Sequence, residues 1–204
     1  MKYIVHRGVT SKKIKENSFE SIKKAIRDID SVGVEFDIRL TKDNKIILIH
    51  DSLIGLNKVE NMYYKDIIKE KYLTTLDRVL GIITDKIFLI DIKTNNNYKI
   101  FADTLISYLK DIDRNIYLCS FDKKILNYLK GKTKYKLGHI SFFYKNNSFD
   151  FFMINYNGIS NKKRIKIKNK KLFLWTISSK KELNYIMDKF ENIKDCYIII
   201  NKEE

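Results

Sequence analysis

Short apolar, β-branched runs recur along the chain at residues 3–5, 34–40, 46–49, 87–92, 116–119, 136–140, 151–154, 172–177 and 196–200. Between most of them the apolar positions fall three or four apart, the spacing that keeps one face of a helix on a core. Phe19, Ile22, Ala25, Ile26 and Ile29 follow this rule, as do Phe101, Leu105, Tyr108, Leu109 and Ile112, and then Leu183, Ile186, Met187 and Phe190. Strand and helix therefore alternate to the end, which predicts parallel strands joined by crossover helices. Two of the runs flank Thr41-Lys42-Asp43-Asn44-Lys45, a turn-rich stretch too short for a crossover helix, and are predicted to pair as a hairpin. Eight βα units remain in 204 residues, about 25 residues each, the low end for an α/β chain that closes into a (β/α)8 TIM barrel. The expected fold is such a barrel, compact, with a β-hairpin extension after its second strand, and residues 1–204 forming a single domain. An open doubly wound sheet is the alternative, but no GxGxxG follows any strand.

Composition narrows the setting. Cys119 and Cys196 stand far apart with no CxxC, which excludes a disulfide scaffold or a structural zinc site and fits a reduced, cytoplasmic location. The first apolar run is interrupted by His6 and Arg7, and no run reaches the roughly 20 residues that cross a bilayer, so neither a signal peptide nor a membrane span is expected. Lys plus Arg exceed Asp plus Glu by 40 to 25, a net charge of +15 that favours anionic partners. The lysines are dispersed, however, Asn and Ile are abundant as well and proline is absent, as an AT-biased genome would produce. Residues 162–171 are the real basic block. No nucleic-acid motif accompanies the charge, and nucleic acid is not an expected partner.

Polar residues interrupt the strand pattern at particular places. Along residues 34–40, Val34, Phe36, Ile38 and Leu40 share one face, and Glu35, Asp37 and Arg39 the other. The second face turns two carboxylates into the barrel mouth, where unpaired burial would be costly. Asp91 and Lys93 share a face at the end of another apolar strand, and barrel active sites lie at the C-terminal strand ends. His6 ends the first strand and is followed by Arg7 and Gly8. A hairpin turn centred on Asp43 and Asn44 would set Asp37 opposite His50 and Phe36 opposite Asp51. Two histidines, an arginine, a lysine and three carboxylates thus converge on one rim. Asn17 is expected as the N-cap of the first helix, with Glu20 closing a capping box. Trp175 reads as core or pocket, and His139 as structural.

Phosphodiester cleavage suits this set. Three converging carboxylates repel one another unless a cation joins them, which implies an oxygen-ligated divalent ion, Mg2+ or Ca2+. Arg7 and Lys93 would hold a phosphate, and histidines can pass protons near neutrality.

The succession His6-Arg7-Gly8, Glu16-Asn17, Glu35-Phe36-Asp37, Thr41-Lys42-Asp43, His50-Asp51 and Ile90-Asp91-Ile92-Lys93 resembles the glycerophosphodiester phosphodiesterase family of phosphatidylinositol-phospholipase-C-like barrels. Ser120-Phe121 and Trp175-Thr176 are similar to its later strand-end motifs. The resemblance implies a metal-dependent hydrolase that splits glycerophosphodiesters into an alcohol and glycerol 3-phosphate. It implies His6 and His50 as the acid/base pair, Arg7, Lys93 and Trp175 as substrate-binding residues, and Glu35, Asp37 and Asp91 as metal ligands. It further suggests attack by the neighbouring glycerol hydroxyl and a cyclic phosphate intermediate, at which related barrels stop. Three departures stand out: Asp91 where the family usually has Glu, a short segment 52–72 without arginine after His50-Asp51, and Ile200-Asn201 where a Thr-Asp pair is usual. The short segment implies an open pocket, and with the basic surface it could bring the rim to an anionic membrane and a lysophospholipid substrate. A non-catalytic barrel that binds phosphorylated ligands is the other expectation.

Overall fold

Every one of the apolar runs forms a strand, and eight of these strands close on themselves. The computed structural model describes residues 2–70, 72–94, 96–159, 170–190 and 195–204. The first part of the chain holds β1 (Lys2–Thr10), α1 (Phe19–Arg27), β2 (Ser31–Leu40), β3 (Ile46–Leu48), β4 (Leu53–Ile54), β5 (Asn57–Lys58), α2 (Tyr64–Ile67) and α3 (Leu76–Leu80). It continues through β6 (Ile87–Ile92), α4 (Tyr98–Leu109), β7 (Ile116–Ser120), α5 (Lys123–Leu129), β8 (Lys136–Ser141), β9 (Phe151–Asn155), β10 (Lys171–Ile177), α6 (Lys180–Phe190) and β11 (Cys196–Glu203). Strands β1, β11, β10, β9, β8, β7, β6 and β2 are parallel neighbours in that order, and β2 returns to β1. The chain is a closed eight-stranded TIM barrel.

Strand parity sorts the apolar side chains into two cores. Ile4, Leu89, Cys119, Met153, Phe173 and Ile199 point inward and fill the barrel. Val34, Phe36, Ile38, Phe88 and Ile90 point outward and meet Ile22 and Ala25 of α1 and Phe101 and Leu105 of α4. Burying this much apolar surface on both faces is what makes each strand read as a nearly continuous hydrophobic run.

Several expectations need correction. Ile29 lies beyond α1 and is 93% exposed, because Asp28 already takes an extended backbone and ends the helix. Within α6, Ile186 and Phe190 are buried whereas Met187 faces outward, so the buried stripe is narrower than the four apolar positions suggest. No helix joins β8 to β9: the loop 142–150 is shorter than the dozen or so residues a helical crossover needs, and its Tyr144 and Phe149 cover the outer face in place of one. Of the basic block 162–171, positions 162–169 lie outside the described residues. Lys171 donates to Tyr117 Oη at 2.6 Å inside the barrel, which makes it structural.

The hairpin forms, but one residue out of the expected register. Ile38 pairs with Leu48 and Leu40 with Ile46, so Asp37 lies opposite Ile49, whose N–H donates to its carbonyl at 3.1 Å, and not opposite His50. The loop 41–45 is closed by Thr41 N–H to Lys45 O at 2.9 Å, with Asn44 in the left-handed region at φ 60°. β2 is long because its lower half pairs with β1, up to His6 opposite Glu35, and its upper half with β3. Residues 53–67 form the β4–β5 ribbon, a single 3-10 turn at Val59–Asn61 and α2, and Val59 of the turn and Ile67 of α2 pack on Ile47 and Ile49.

Candidate active site

The first strand opens the site by breaking its own regularity. Arg7 sits at φ 54° and Gly8 at φ 83°, and the β1–β11 register shifts between Val5 and Val9. A non-glycine residue in the left-handed region costs about 1–3 kcal/mol and marks functional strain. Here the bulge aims Arg7 N–H at Glu35 Oε2 (3.2 Å) and its guanidinium at Asp37 Oδ2 (2.9 Å) and Glu16 Oε1 (2.8 Å). Gly8 permits the approach of α1: a Cβ there would lie 2.5 Å from the Ser21 backbone.

Glu35 and Asp37 of β2 and Asp91 of β6 are all buried, and each offers an oxygen within 4.8 Å of the others. Lys93 Nζ bridges Asp91 Oδ2 at 2.6 Å and Asp37 Oδ1 at 3.1 Å. Three carboxylates face two cations, so full ionisation leaves an excess negative charge, and the groups divide accordingly. Burial, followed by Asp37 and Asp91, drives the Glu35 carboxyl well above the usual range. Burial likewise pushes Asp91 up to about 6 despite Lys93. For Asp37, burial is outweighed by Lys93, Arg7 and a hydrogen bond from Asn17, and its pKa falls.

The donor set fits a divalent cation. All three ligand groups are hard carboxylate oxygens, and Asp91 Oδ1 is buried without a hydrogen-bond partner among the described residues. Asp91, one methylene shorter than the glutamate the resemblance led us to expect, still reaches the cluster.

The histidines flank it. His6 Nε2 lies 3.8 Å from Glu35 Oε2, and Nδ1 is 2.7 Å from Asn201 Oδ1 at the end of β11. Burial, then Arg7, lowers the His6 pKa. His50 follows β3 and bonds through Nδ1 to Asp51 Oδ1 at 2.9 Å. Although not opposite Asp37, it stays close enough for its charge to stabilise that carboxylate.

Asn17 is not the N-cap. Ser18 caps α1 and shares a reciprocal box with Ser21, leaving Glu20 outside it. Asn17, at φ 54°, instead donates Nδ2 to Asp37 Oδ2 at 2.9 Å and accepts Asp37 N–H at 3.0 Å. Its position directly after Glu16 in the motif series was the available signal in the sequence. Asn201 was visible only as a departure from a motif, yet it is the partner of His6. Across the mouth, Trp175 packs edge-on against Phe121 and Phe142, with ring centroids 5.8 and 5.3 Å away. Phe121, Phe142 and Phe143 are 45%, 59% and 73% exposed. His139 stays away from the cluster, tilted against Phe149.

The same arrangement has relatives. The sequence profile of the Glycerophosphoryl diester phosphodiesterase family matches residues 6–191. A glycerophosphodiester phosphodiesterase of Caldanaerobacter subterraneus subsp. tengcongensis is 26% identical over 213 aligned positions, covering 88% of this chain and 87% of that protein. Among solved structures, a glycerophosphodiester phosphodiesterase from Thermotoga maritima superposes with a TM-score of 0.76 at 24% identity, over 97% of this chain and 93% of that one. An Oleispira antarctica phosphodiesterase, solved with the product sn-glycerol-3-phosphate, reaches 0.84 at 16% identity, over 98% and 92%. With a profile that spans most of the barrel and both ends of the motif series, the chain belongs to the glycerophosphoryl diester phosphodiesterase family.

Proposed function

We propose that this protein hydrolyses glycerophosphodiesters to an alcohol and glycerol 3-phosphate, with His6 and His50 as its acid/base pair and Glu35, Asp37 and Asp91 holding Mg2+ or Ca2+. The observation that carries this reading is the convergence of three buried carboxylates, two cationic side chains and two histidines at the C-terminal ends of β1, β2, β3 and β6. The relatives' printed activities, and the product bound to the Oleispira protein, support it.

Arg7 and Lys93 hold the phosphate in this scheme, each already fixed by carboxylates on one side. A bound divalent ion would supply Lewis-acid stabilisation of charge developing on the phosphoryl oxygens. Asn201 Nδ2 donates to Ser178 Oγ at 2.8 Å, so its Oδ1 accepts from His6 Nδ1–H and leaves His6 Nε2 as an unprotonated base. His6 Nε2 takes the proton of the glycerol 2-hydroxyl as that oxygen bonds to phosphorus. His50 gives its proton to the departing alcohol oxygen as the P–O bond breaks. Water then opens the cyclic phosphate with the two roles reversed.

The exposed phenylalanines favour a second substrate reading within the same chemistry. Phe121, Phe142 and Phe143 form an apolar rim that could receive the acyl chain of a lysophospholipid.

Phosphorus NMR of glycerophosphocholine, glycerophosphoethanolamine and a lysophospholipid, with Mg2+, Ca2+ or chelator and against His6→Ala, tests both readings. Glycerol 3-phosphate, or acylglycerol 3-phosphate from the lysophospholipid, or the corresponding cyclic phosphate, is expected only with metal and only with His6 present. A lysophospholipid turned over faster than its deacylated counterpart would select the second reading. Turnover of nothing by folded, metal-supplied protein would leave a phosphate-binding barrel.

A further inference from the structure

Beside the phosphate ligands lies a cavity of about 210 Å³ lined by Arg39, Leu40, Ser52, Lys58, Glu60 and Lys93, among others. Its volume is several times the roughly 30 Å³ that one water occupies in the liquid. Lys93 is committed to Asp37 and Asp91, but the other charged residues are not: among the described residues Arg39, Lys58 and Glu60 have no ion-pair partner. Arg39 shares the inward face of β2 with Glu35 and Asp37, and only its Nε is used, donating to the His50 carbonyl at 2.9 Å. Its other guanidinium nitrogens carry no hydrogen bond among the described residues and are not sealed from solvent, so they remain available to an anionic group entering the cavity. Burial lowers its pKa, against the pull of Asp37, Asp51, Asp91 and the cavity's own Glu60.

Resting on the phosphodiesterase reading, we propose that this cavity is a head-group subsite for an amino-acid alcohol of the serine type. Arg39 and Lys58 would take the α-carboxylate and Glu60 the ammonium group. The sharing of Lys93 between the cavity and the phosphate site places such a group next to the scissile bond. A second phosphate fits less well, because Glu60 would oppose a dianion. A head group bearing an amine alone would leave Arg39 unmatched.

The test combines binding and turnover. Calorimetry with O-phosphoserine and O-phosphoethanolamine reads the subsite without requiring catalysis. Phosphoserine is expected to bind about tenfold tighter, the factor that ~1.4 kcal/mol represents. The preference should vanish in Arg39→Met, return in Arg39→Lys and weaken in Lys58→Ala, an exposed position whose replacement leaves the barrel intact. Glycerophosphoserine should then exceed glycerophosphoethanolamine in kcat/KM through KM, by a similar factor. Equal binding of the two phosphates by the wild-type protein overturns the subsite, whatever the activity. So does an Arg39→Met variant that loses kcat on all substrates alike with the binding preference unchanged, which would confine Arg39 to positioning His50. Absence of turnover with the binding preference intact would instead overturn the phosphodiesterase reading and leave the subsite standing.

Discussion

At His6, a neutral amide does the work that a carboxylate might have done. Asn201 Oδ1 fixes the ring through Nδ1 at 2.7 Å without adding charge, so burial dominates and holds the His6 pKa down. An unprotonated Nε2 near neutrality is what a base needs. Asn201→Asp would put a negative charge at the same distance and stabilise the imidazolium, raising the His6 pKa. If His6 is the base of the proposed scheme it works deprotonated, and the acid limb of kcat/KM should then move to higher pH while the rate above neutrality changes little. The chain has only three histidines, which makes a ring-proton NMR titration directly assignable. A His6 titration that rises without any movement of the acid limb would remove His6 from the role of base.

The hairpin shows how an element sets a site without touching substrate. Asp43 Oδ1 accepts from Thr41 Oγ1 at 2.8 Å and from Tyr64 N–H at 2.9 Å, tying the loop 41–45, which leads into β3 and His50 beyond it, to α2. Asp43→Ala should cost about 1–2 kcal/mol, a fall in Tm of roughly 2–8 °C for a chain of this size, measurable by circular dichroism melting. An unchanged Tm would mean that the turn is held by the backbone alone. At this scale the sequence was readable wherever the information was local: short apolar, β-branched runs marked the strands, and the three-four spacing gave α1, α4 and α6. It failed by one residue where the outcome depended on distant partners. The hairpin register turns on a five-residue loop with Asn44 left-handed, which the residue types allow but do not dictate. Likewise the cap moved from Asn17 to Ser18 because the Asn17 amide is claimed by Asp37, twenty positions away.

Closure of the barrel explains which parts of the site were legible. Glu35, Asp37 and Asp91 lie on the neighbouring strands β2 and β6, with His50 just after β3, all within the first 93 residues, and their motifs announce them. Asn201, Ser178 and Phe142 reach the mouth only because β11 returns to β1 and β8 takes its turn in the circle, so no local pattern could tie them to His6 or Trp175. Closure also concentrates charge, and this gives the whole molecule a pH dependence that a divalent ion bound by the three carboxylates would alter. The folded pKa of Asp91 is raised from 3.8 to about 6, and that of Glu35 is raised also. For a carboxylate raised on folding, the unfolded chain releases its proton first, so stability declines as pH climbs from about 4 toward 6 and beyond. Asp37 has the opposite sign and matters only as pH falls below its ordinary value. In chelator, Asp91→Asn should therefore gain stability over the wild type progressively between pH 4 and 7. A divalent ion at a hundred times its Kd should add about 2.7 kcal/mol to the wild type, or roughly 5–10 °C in Tm, and much less to Asp91→Asn. Thermal melts of both proteins across that pH range, with chelator and with Mg2+ or Ca2+, provide the comparison. A gap that stays flat with pH and ignores the metal would mean that the three carboxylates are neutralised by Arg7 and Lys93 alone.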